Sequence, residues 1–183
     1  MNNVKNKTGA ERALLSGQVL NKPLSEKTIL IVGLGLIGGS VARGLKSANP
    51  KQRILATDLD LERLIQAESD GVVDASGDLT SLCPQADIIV IALPTLGINT
   101  ILPLIADSVN SSAVITDVAS VKSHLMLAVN EQSEDFQRRF VPGHPIAGSE
   151  KTGYQASSID LFQRRNVILT PQLETDTSAI AAI

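Results

Sequence analysis

The stretch ILIVGLGLIGGS, residues 29–40, places Gly33, Gly35, Gly38 and Gly39 at the end of an apolar run. The preceding TILIVG is continuous and β-branched, which is typical of a strand buried on both faces. The following LIGGSVARGLKSA has apolar residues at helical spacing. The glycines therefore lie in the turn between a buried strand and a helix.

Three of these glycines form the pattern G-x-G-x-x-G. Gly33 permits a tight turn, Gly35 lets a pyrophosphate approach the backbone, and Gly38 lets the helix pack closely on the strand. The N–H groups and positive dipole at the helix start would then face the phosphates. This context predicts a dinucleotide site, with a flavin or S-adenosylmethionine site as the alternative.

An acidic residue completes the pattern. Asp58 ends the second predicted strand, RILATD, 20 residues after Gly38. Its carboxylate would accept hydrogen bonds from ribose hydroxyls and repel a 2′-phosphate, which favours NAD over NADP. Arg53 and Arg63 lie near it in sequence and make this preference less strict.

The rest of the chain alternates between predicted strands and helices. Strands are predicted at ADIIVIALP, SAVITD, RRFVPGHP and NVILTP, and helices at DLERLIQAESDG, GINTILPLIADSV and SVKSHLMLAVNE. This alternation predicts an α/β fold with a doubly wound, mostly parallel sheet of the Rossmann type. Ligands bind such sheets beyond the carboxyl ends of the strands. The predicted cofactor-binding residues are Gly33, Gly35, Leu36, Ile37, Gly38, Asp58, Leu93, Pro94 and Thr95.

Two later motifs carry candidate catalytic groups. In TDVASVK, Ser120 would cap the following helix, which spacing favours, or turn its hydroxyl toward a substrate. In VPGHPIAGSEKTG, His144 would take a proton from an alcohol as hydride leaves, because histidine titrates near neutral pH; a structural turn histidine is the alternative. His124 lies within a predicted helix and is interpreted as a surface or packing residue.

Composition excludes several other functions. The 183 residues carry a net charge of −3 without a basic patch and only 2% aromatic residues, so no nucleic-acid partner is expected. No apolar run is long enough to span a membrane, and no metal site is predicted. The single cysteine, Cys83, and the absence of a secretory signal are consistent with a cytoplasmic location.

The two ends of the chain suggest its domain boundaries. Residues 1–27 are polar and are predicted to form a flexible leader with one weak helical turn near AERALL. ETDTSAIAAI resembles a helix start, with Thr175 or Asp176 as its cap and Ile180 and Ile183 on its apolar face. Because the chain stops about two turns into this helix, we expect residues 28–183 to be a dinucleotide-binding domain truncated at its C-terminal end.

Three motifs together, VGLGLIGGS, TDVASVK and PGHPIAGSEKTG, closely resemble the nucleotide-binding domain of the prephenate/arogenate dehydrogenase family of tyrosine biosynthesis. The resemblance covers about residues 28–171 and implies NAD-dependent oxidative decarboxylation of prephenate or arogenate. It implies that His144 accepts the proton of the ring hydroxyl and that Ser120 orients this histidine. It also implies that Ser149, Glu150 and Thr152 line the substrate entrance.

The resemblance also implies a part that this sequence lacks. Family members carry a helical C-terminal domain that forms a homodimer and supplies basic residues for the substrate carboxylates. We therefore expect the 183-residue chain to bind NAD with weak or no turnover. The choice between prephenate and arogenate stays open, as do two other functions: another Rossmann hydride-transfer enzyme, such as a 3-hydroxyacid dehydrogenase or an imine reductase, and a non-catalytic NAD-sensing module.

Overall fold

The computed structural model describes residues 22–183, so most of the predicted leader, including its helical turn, lies outside the described residues. Its main sheet has six parallel strands in the order β3-β2-β1-β4-β5-β6. These strands are β1 Thr28–Val32, β2 Arg53–Thr57, β3 Ala75–Ser76, β4 Ile88–Ile91, β5 Val114–Asp117 and β6 Phe140–Val141. The order reverses between β1 and β4, which confirms the predicted doubly wound fold.

Helices connect the strands, and a small ribbon completes the structure. The helices are α1 Leu36–Ala48, α2 Leu61–Ser69, α3 Leu79–Leu82, α4 Thr95–Ser108, α5 Ser123–Asn130, α6 Glu134–Arg139 and α7 Thr177–Ala182. Short 3-10 turns cover Leu24–Glu26, Cys83–Gln85 and Tyr154–Ala156. Strands β7 Gly143–Pro145 and β8 Val167–Leu169 form a separate antiparallel ribbon. No helix among residues 22–183 is both long and apolar enough to cross a membrane.

The central strand β1 is buried on both faces, as its composition predicts. Leu30 and Val32 belong to one hydrophobic cluster, and Ile29 and Ile31 belong to another. Because successive strand residues point to opposite faces, β1 contributes to both cores of the domain. The apolar run of the opening motif is therefore explained by two-sided burial.

Two glycines hold α1 against the sheet. Gly33 has φ +97, a backbone conformation that glycine adopts far more readily than other residues. A Cβ atom at Gly38 would lie 2.0 Å from the carbonyl oxygen of Gly33 and 3.1 Å from Ile31 Cγ2. The helix therefore lies closer to β1 than any side chain at position 38 would allow.

The prediction that Ser120 caps a helix is wrong. Helix α5 begins at Ser123, and Lys122 occupies its N-cap position. The Asp117 carboxylate accepts the N–H of Ala119 two residues along the chain at 2.8 Å. This local bond favours a turn over a helix, so Ser120 lies in the loop before α5.

The predicted strand RRFVPGHP is divided in the structure. Its two arginines end α6, Phe140 and Val141 pair with β5, and the residues from Gly143 pair with β8. Pro142 separates the two pairings because it has no N–H to donate to a sheet ladder.

At the end of the chain, Asp176 occupies the N-cap position of α7, as one of the two predicted caps. Its side chain pairs with Arg138 instead of capping the helix.

We predict that Gly38→Ala destabilises the domain by more than about 3 kcal/mol, because the new methyl group meets a backbone carbonyl rather than a flexible side chain. Gly44→Ala on the same helix is the matched control. A Cβ atom there has no neighbour within 4 Å, so this change should raise the free energy of unfolding by about 0.5–1 kcal/mol through helix propensity. Urea unfolding of both variants measures the difference, and equal stabilities would contradict the packing argument.

Candidate active site

A cleft of about 340 Å³ lies beyond the carboxyl ends of β1, β4 and β5. Segments from four parts of the chain line it: Gly35, Leu36 and Ile37; Ala92, Leu93, Pro94 and Thr95; Val118, Ala119 and Ser120; and Lys151, Thr152 and Gly153. The structure therefore brings most of the predicted cofactor residues together with Ser120 and Thr152. Gly33, Gly38 and Asp58 are not among the residues that line the cleft.

The glycine turn leaves room beside the first turn of α1. A Cβ atom at Gly35 would have no neighbour within 4 Å, in contrast to the tight contacts at Gly33 and Gly38. Gly35 is also the N-cap residue of α1 and has no side chain to cap the helix. The N–H groups of the first turn are therefore left for another acceptor, and a phosphate is the usual one.

Asp58 is held against the glycine turn. Its Oδ2 atom accepts the N–H of Leu34 at 2.6 Å, its Oδ1 atom accepts the N–H of Asp60 at 2.9 Å, and its side chain is 8% exposed. Arg63 lies between two carboxylates, 2.9 Å from Asp60 and 3.6 Å from Asp58. This pairing leaves the Arg63 guanidinium less available to a 2′-phosphate than its sequence position indicates.

Arg53 is not close to Asp58, contrary to the sequence interpretation. It is the first residue of β2, whereas Asp58 follows the last residue of that strand. A strand rises about 3.3 Å per residue, which puts the two residues at opposite ends of the sheet. Arg53 instead donates to Gln85 at 3.0 Å.

His144 lies on β7, opposite Ile168 of β8. It is half-buried, and its Nδ1 atom is buried without a hydrogen-bond partner among the described residues. It is not among the residues that line the cleft, whereas Ser120 is exposed and lines it. Ser120, which the resemblance implies orients this histidine, makes no hydrogen bond to its Nδ1 atom. His124 is exposed on α5, consistent with a surface residue.

A buried ion pair connects the Ser120 turn to the strand of His144. The Asp117 side chain is fully buried, and Lys122 Nζ lies 2.5 Å from its Oδ2 atom. Burial raises the pKa of the Asp117 carboxyl, and hydrogen bonds from Lys122 and two backbone N–H groups offset part of that rise. Lys122 also donates to the carbonyl oxygen of Gly143.

The loop after β7 carries the remaining predicted substrate residues. Ser149, Glu150 and Thr152 are exposed, and of these only Thr152 lines the cleft. Ser149 Oγ accepts the N–H of Lys151 at 3.2 Å. Among the described residues that line the cleft, Lys151 is the only charged one.

The end of this loop is anchored to α1. Tyr154 is fully buried, the Arg43 guanidinium lies 4.6 Å from its ring centroid, and its hydroxyl donates to Asp70 at 3.0 Å. Arg43 also donates to Ser157 Oγ and Asp70, each at 2.8 Å. Burial, with the bond to Asp70, raises the pKa of Tyr154 to about 12, so the tyrosine stays neutral.

Sequence reasoning did not select Asp117, Lys122, Arg43 or Tyr154. A signal existed for the first pair, because the motif TDVASVK contains both charges five residues apart. The buried tyrosine is the only tyrosine in the chain. Nothing near it in sequence indicates that it contacts Arg43 on α1 and Asp70, the residue that follows α2. The bond from the tyrosine to Asp70 joins residues 84 positions apart, and the bond from Arg43 to Ser157, beside the tyrosine, joins residues 114 positions apart.

The strand order, the glycine turn and the cleft at the carboxyl edge define a Rossmann-type dinucleotide-binding domain. Residues 41–183 match the family model described as the prephenate dehydrogenase nucleotide-binding domain. The chain belongs to this family.

Individual relatives agree with this assignment. The chain is 37% identical over 147 residues to a prephenate dehydrogenase of Lactococcus lactis subsp. cremoris (strain MG1363), which covers 80% of this chain and 41% of that protein. The structure of Aquifex aeolicus prephenate dehydrogenase in complex with hydroxyphenyl propionate and NAD+ superposes with a TM-score of 0.78 and 31% identity, over 87% of this chain and 56% of that one.

A Synechocystis arogenate dehydrogenase has a TM-score of 0.74 and 31% identity, over 84% of this chain and 53% of that one. The chain thus spans between 41% and 56% of the length of these relatives.

We predict that Asp70→Asn lowers stability at neutral pH but not in acid. Hydrogen bonds from Gln66, Arg43 and Tyr154 lower the pKa of Asp70 in the folded protein. Its contribution is therefore present above the unfolded pKa, about 3.9, and is lost as pH falls through the lower folded pKa. Urea unfolding at a series of pH values should show the difference from wild type shrinking below about pH 4.

Asp107→Asn, at an exposed position on α4, is the control and should behave as wild type throughout. An Asp70→Asn deficit that persists unchanged at the lowest pH at which the protein folds would contradict this account of Asp70.

Proposed function

We propose that this chain is the dinucleotide-binding and proton-accepting part of an enzyme that oxidatively decarboxylates prephenate, with NAD as the oxidant. One observation carries the proposal. A single cleft is lined by the glycine turn, by Ser120 of TDVASVK and by Thr152 of GHPIAGSEKTG. The cofactor motif and the two later motifs of the family resemblance therefore meet at one place.

The residues of the cleft fit a dinucleotide. The open space beside Gly35 and the uncapped first turn of α1 suit a pyrophosphate. Leu36, Ile37 and the segment from Leu93 to Thr95 would flank the remainder of the cofactor. A bound nicotinamide would supply a hydride acceptor, as NAD+ does in dehydrogenases generally.

The proposed chemistry asks little of the protein. The ring carbon that bears the hydroxyl would give a hydride to the nicotinamide as the hydroxyl proton passes to His144. The ring carboxylate would then leave as CO₂, and its bonding electrons would make the ring aromatic with a phenolate oxygen, which takes a proton back. Ser120 would orient His144 and the hydroxyl. The protein's main tasks are then to position the reactants and to exclude water.

Substrate recognition would require more positive charge than the described residues bring to the cleft. Prephenate carries two carboxylates, and Lys151 is the only charged residue lining the cleft among those described. Ser149, Glu150 and Thr152 would contact the substrate entrance as uncharged or acidic groups. We therefore propose that the full protein supplies the basic residues from a helical domain, in the part of its relatives that this chain does not cover. This domain would also form the homodimer.

Arogenate is the second candidate substrate, because the Synechocystis arogenate dehydrogenase matches the domain about as well as the prephenate dehydrogenases do. The two substrates differ in the keto or amino group of the side chain, and Lys151 is the only charged residue among the described ones that line the cleft. An assay with both substrates distinguishes these possibilities.

We predict that Asp58→Asn shifts cofactor preference toward NADP by about tenfold relative to NAD, which corresponds to about 1.4 kcal/mol. The carboxylate would no longer repel a 2′-phosphate, and Arg63 would lose one of its two anionic neighbours. Asparagine keeps an oxygen that can accept the Leu34 N–H, so the glycine turn is preserved. Titration of each variant with NAD and NADP measures the ratio, and the Asp107→Asn control should leave it unchanged. An unchanged ratio in Asp58→Asn would exclude Asp58 as the determinant of cofactor preference.

The proposed function is tested by NADH formation from prephenate, arogenate and a 3-hydroxyacid. We expect the 183-residue chain to bind NAD with weak turnover of prephenate, and His144→Asn to reduce that turnover at least about 100-fold without changing NAD affinity. Turnover of only the 3-hydroxyacid would favour another dehydrogenase. NAD binding with no turnover of any substrate, even after the chain is extended to the length of its relatives, would favour a sensing module.

A further inference from the structure

Lys122 reaches from the turn that carries Ser120 to the strand that carries His144. Its Nζ atom donates to Asp117 and to the carbonyl oxygen of Gly143. Asp117 Oδ1 in turn accepts the backbone N–H of Gly143 at 3.2 Å. The lysine and the aspartate therefore hold both backbone polar groups of the residue that precedes His144.

The arrangement leaves this backbone little freedom. A Cβ atom at Gly143 would lie 2.9 Å from the carbonyl oxygen of Asp117 and 3.1 Å from Thr116 Oγ1, so β7 starts in direct contact with the end of β5. The imidazole of His144 has no partner at its buried Nδ1 atom. No hydrogen bond at Nδ1 therefore fixes the ring, and the backbone of β7 sets where the side chain begins.

Stability is a poor explanation for such a pair. Taking a carboxylate and an ammonium out of water costs about as much as their attraction returns, and an apolar pair is often as stable. Here the Asp117 side chain is 0% exposed and that of Lys122 is 20% exposed. What an apolar pair would not provide is a donor to the Gly143 carbonyl.

We propose that Lys122 is a positioning residue, whose ammonium fixes the Gly143 peptide and thereby sets the His144 imidazole relative to Ser120 and the cleft. The proposal rests on the proposed function, in which His144 accepts the proton. Lys122 does not contact the reacting atoms; it acts through the backbone of the histidine strand.

The chain contains a matched control in Lys46. Its Nζ atom donates to the carbonyl oxygen of Gln52 at 2.7 Å and to both carboxylate oxygens of Asp74 at 2.7 and 2.8 Å, and its side chain is 12% exposed. It thus has the same kinds of partner as Lys122. It lies ten residues beyond the start of α1, about 15 Å along the helix from the end that faces the cleft.

The experiment compares Lys122→Met with Lys46→Met in the 183-residue chain by NMR, with His124→Gln used to assign the two histidines. We expect Lys122→Met to shift the imidazole signals of His144 and the amide signal of Gly143, and Lys46→Met to leave both in place. NAD affinity should stay within about twofold in both variants, because neither lysine lines the cleft. Turnover of prephenate should fall about 100-fold in Lys122→Met alone, as expected for a displaced catalytic group.

A double variant separates positioning from charge neutralisation. In the double variant Lys122→Met with Asp117→Asn, no buried carboxylate lacks its partner. Part of the stability lost in Lys122→Met alone should therefore return. The His144 signals should stay displaced, because the Gly143 carbonyl still lacks its donor. Recovery of those signals in the double variant, or unchanged signals in Lys122→Met, would overturn the proposal.

Failure of the proposed function gives a different result. If His144→Asn turned over prephenate as fast as wild type, His144 would not be the proton acceptor, whatever the NMR comparison showed. The signals of His144 report on its placement independently of turnover, so the two proposals are judged separately.

Discussion

The close contact between Gly38 and the carbonyl oxygen of Gly33 is the constraint on which the rest of the domain depends. A methyl group at position 38 would lie 2.0 Å from that oxygen and 3.0 Å from Ala92 Cβ on the neighbouring segment. The helix α1 consequently lies directly on β1, with its first turn at the carboxyl edge of the sheet. Gly39 extends the same surface, since a Cβ atom there would meet Ser157 and Tyr154 at 2.9 and 3.0 Å. The fourth glycine therefore serves the packing of the later loop rather than the cofactor.

The parallel sheet explains why such distant motifs meet. Strands β1, β4 and β5 are adjacent and point the same way, so the segments that follow them emerge at one edge. Residues 35–37, 92–95 and 118–120 are thereby neighbours in the cleft although they are far apart in sequence. The ribbon of β7 and β8 then returns the chain so that residues 151–153 complete the wall. The fold thus brings the motifs together, and the side chains at these positions determine the chemistry.

Local rules predicted the parts of the structure that local interactions decide. The strand, glycine turn and helix of residues 29–48 follow from periodicity and from the contacts of glycine, and the structure confirms them. Helix α6 was missed although its signal is local: Ser133 caps it, acidic residues begin it and Arg138 and Arg139 end it. The error at Ser120 has two origins: the local bond from the Ala119 N–H to Asp117, and a distant one, because Lys122 donates to a carbonyl 21 residues away. Pairings of that range, like the ribbon of β7 and β8, have no signature in a short window of sequence.

The segment that carries the predicted substrate residues is held at both ends and exposed between them. At its start, Lys122 and Asp117 fix Gly143, immediately before His144. At its end, Tyr154 is buried against α1 beneath the Arg43 guanidinium. The residues from Gly148 to Thr152 are exposed between these two anchors. One anchor belongs to the Ser120 turn and the other to the helix of the glycine turn. The folded core therefore sets the spacing between His144 and the glycine turn, while the residues between the anchors stay exposed to solvent.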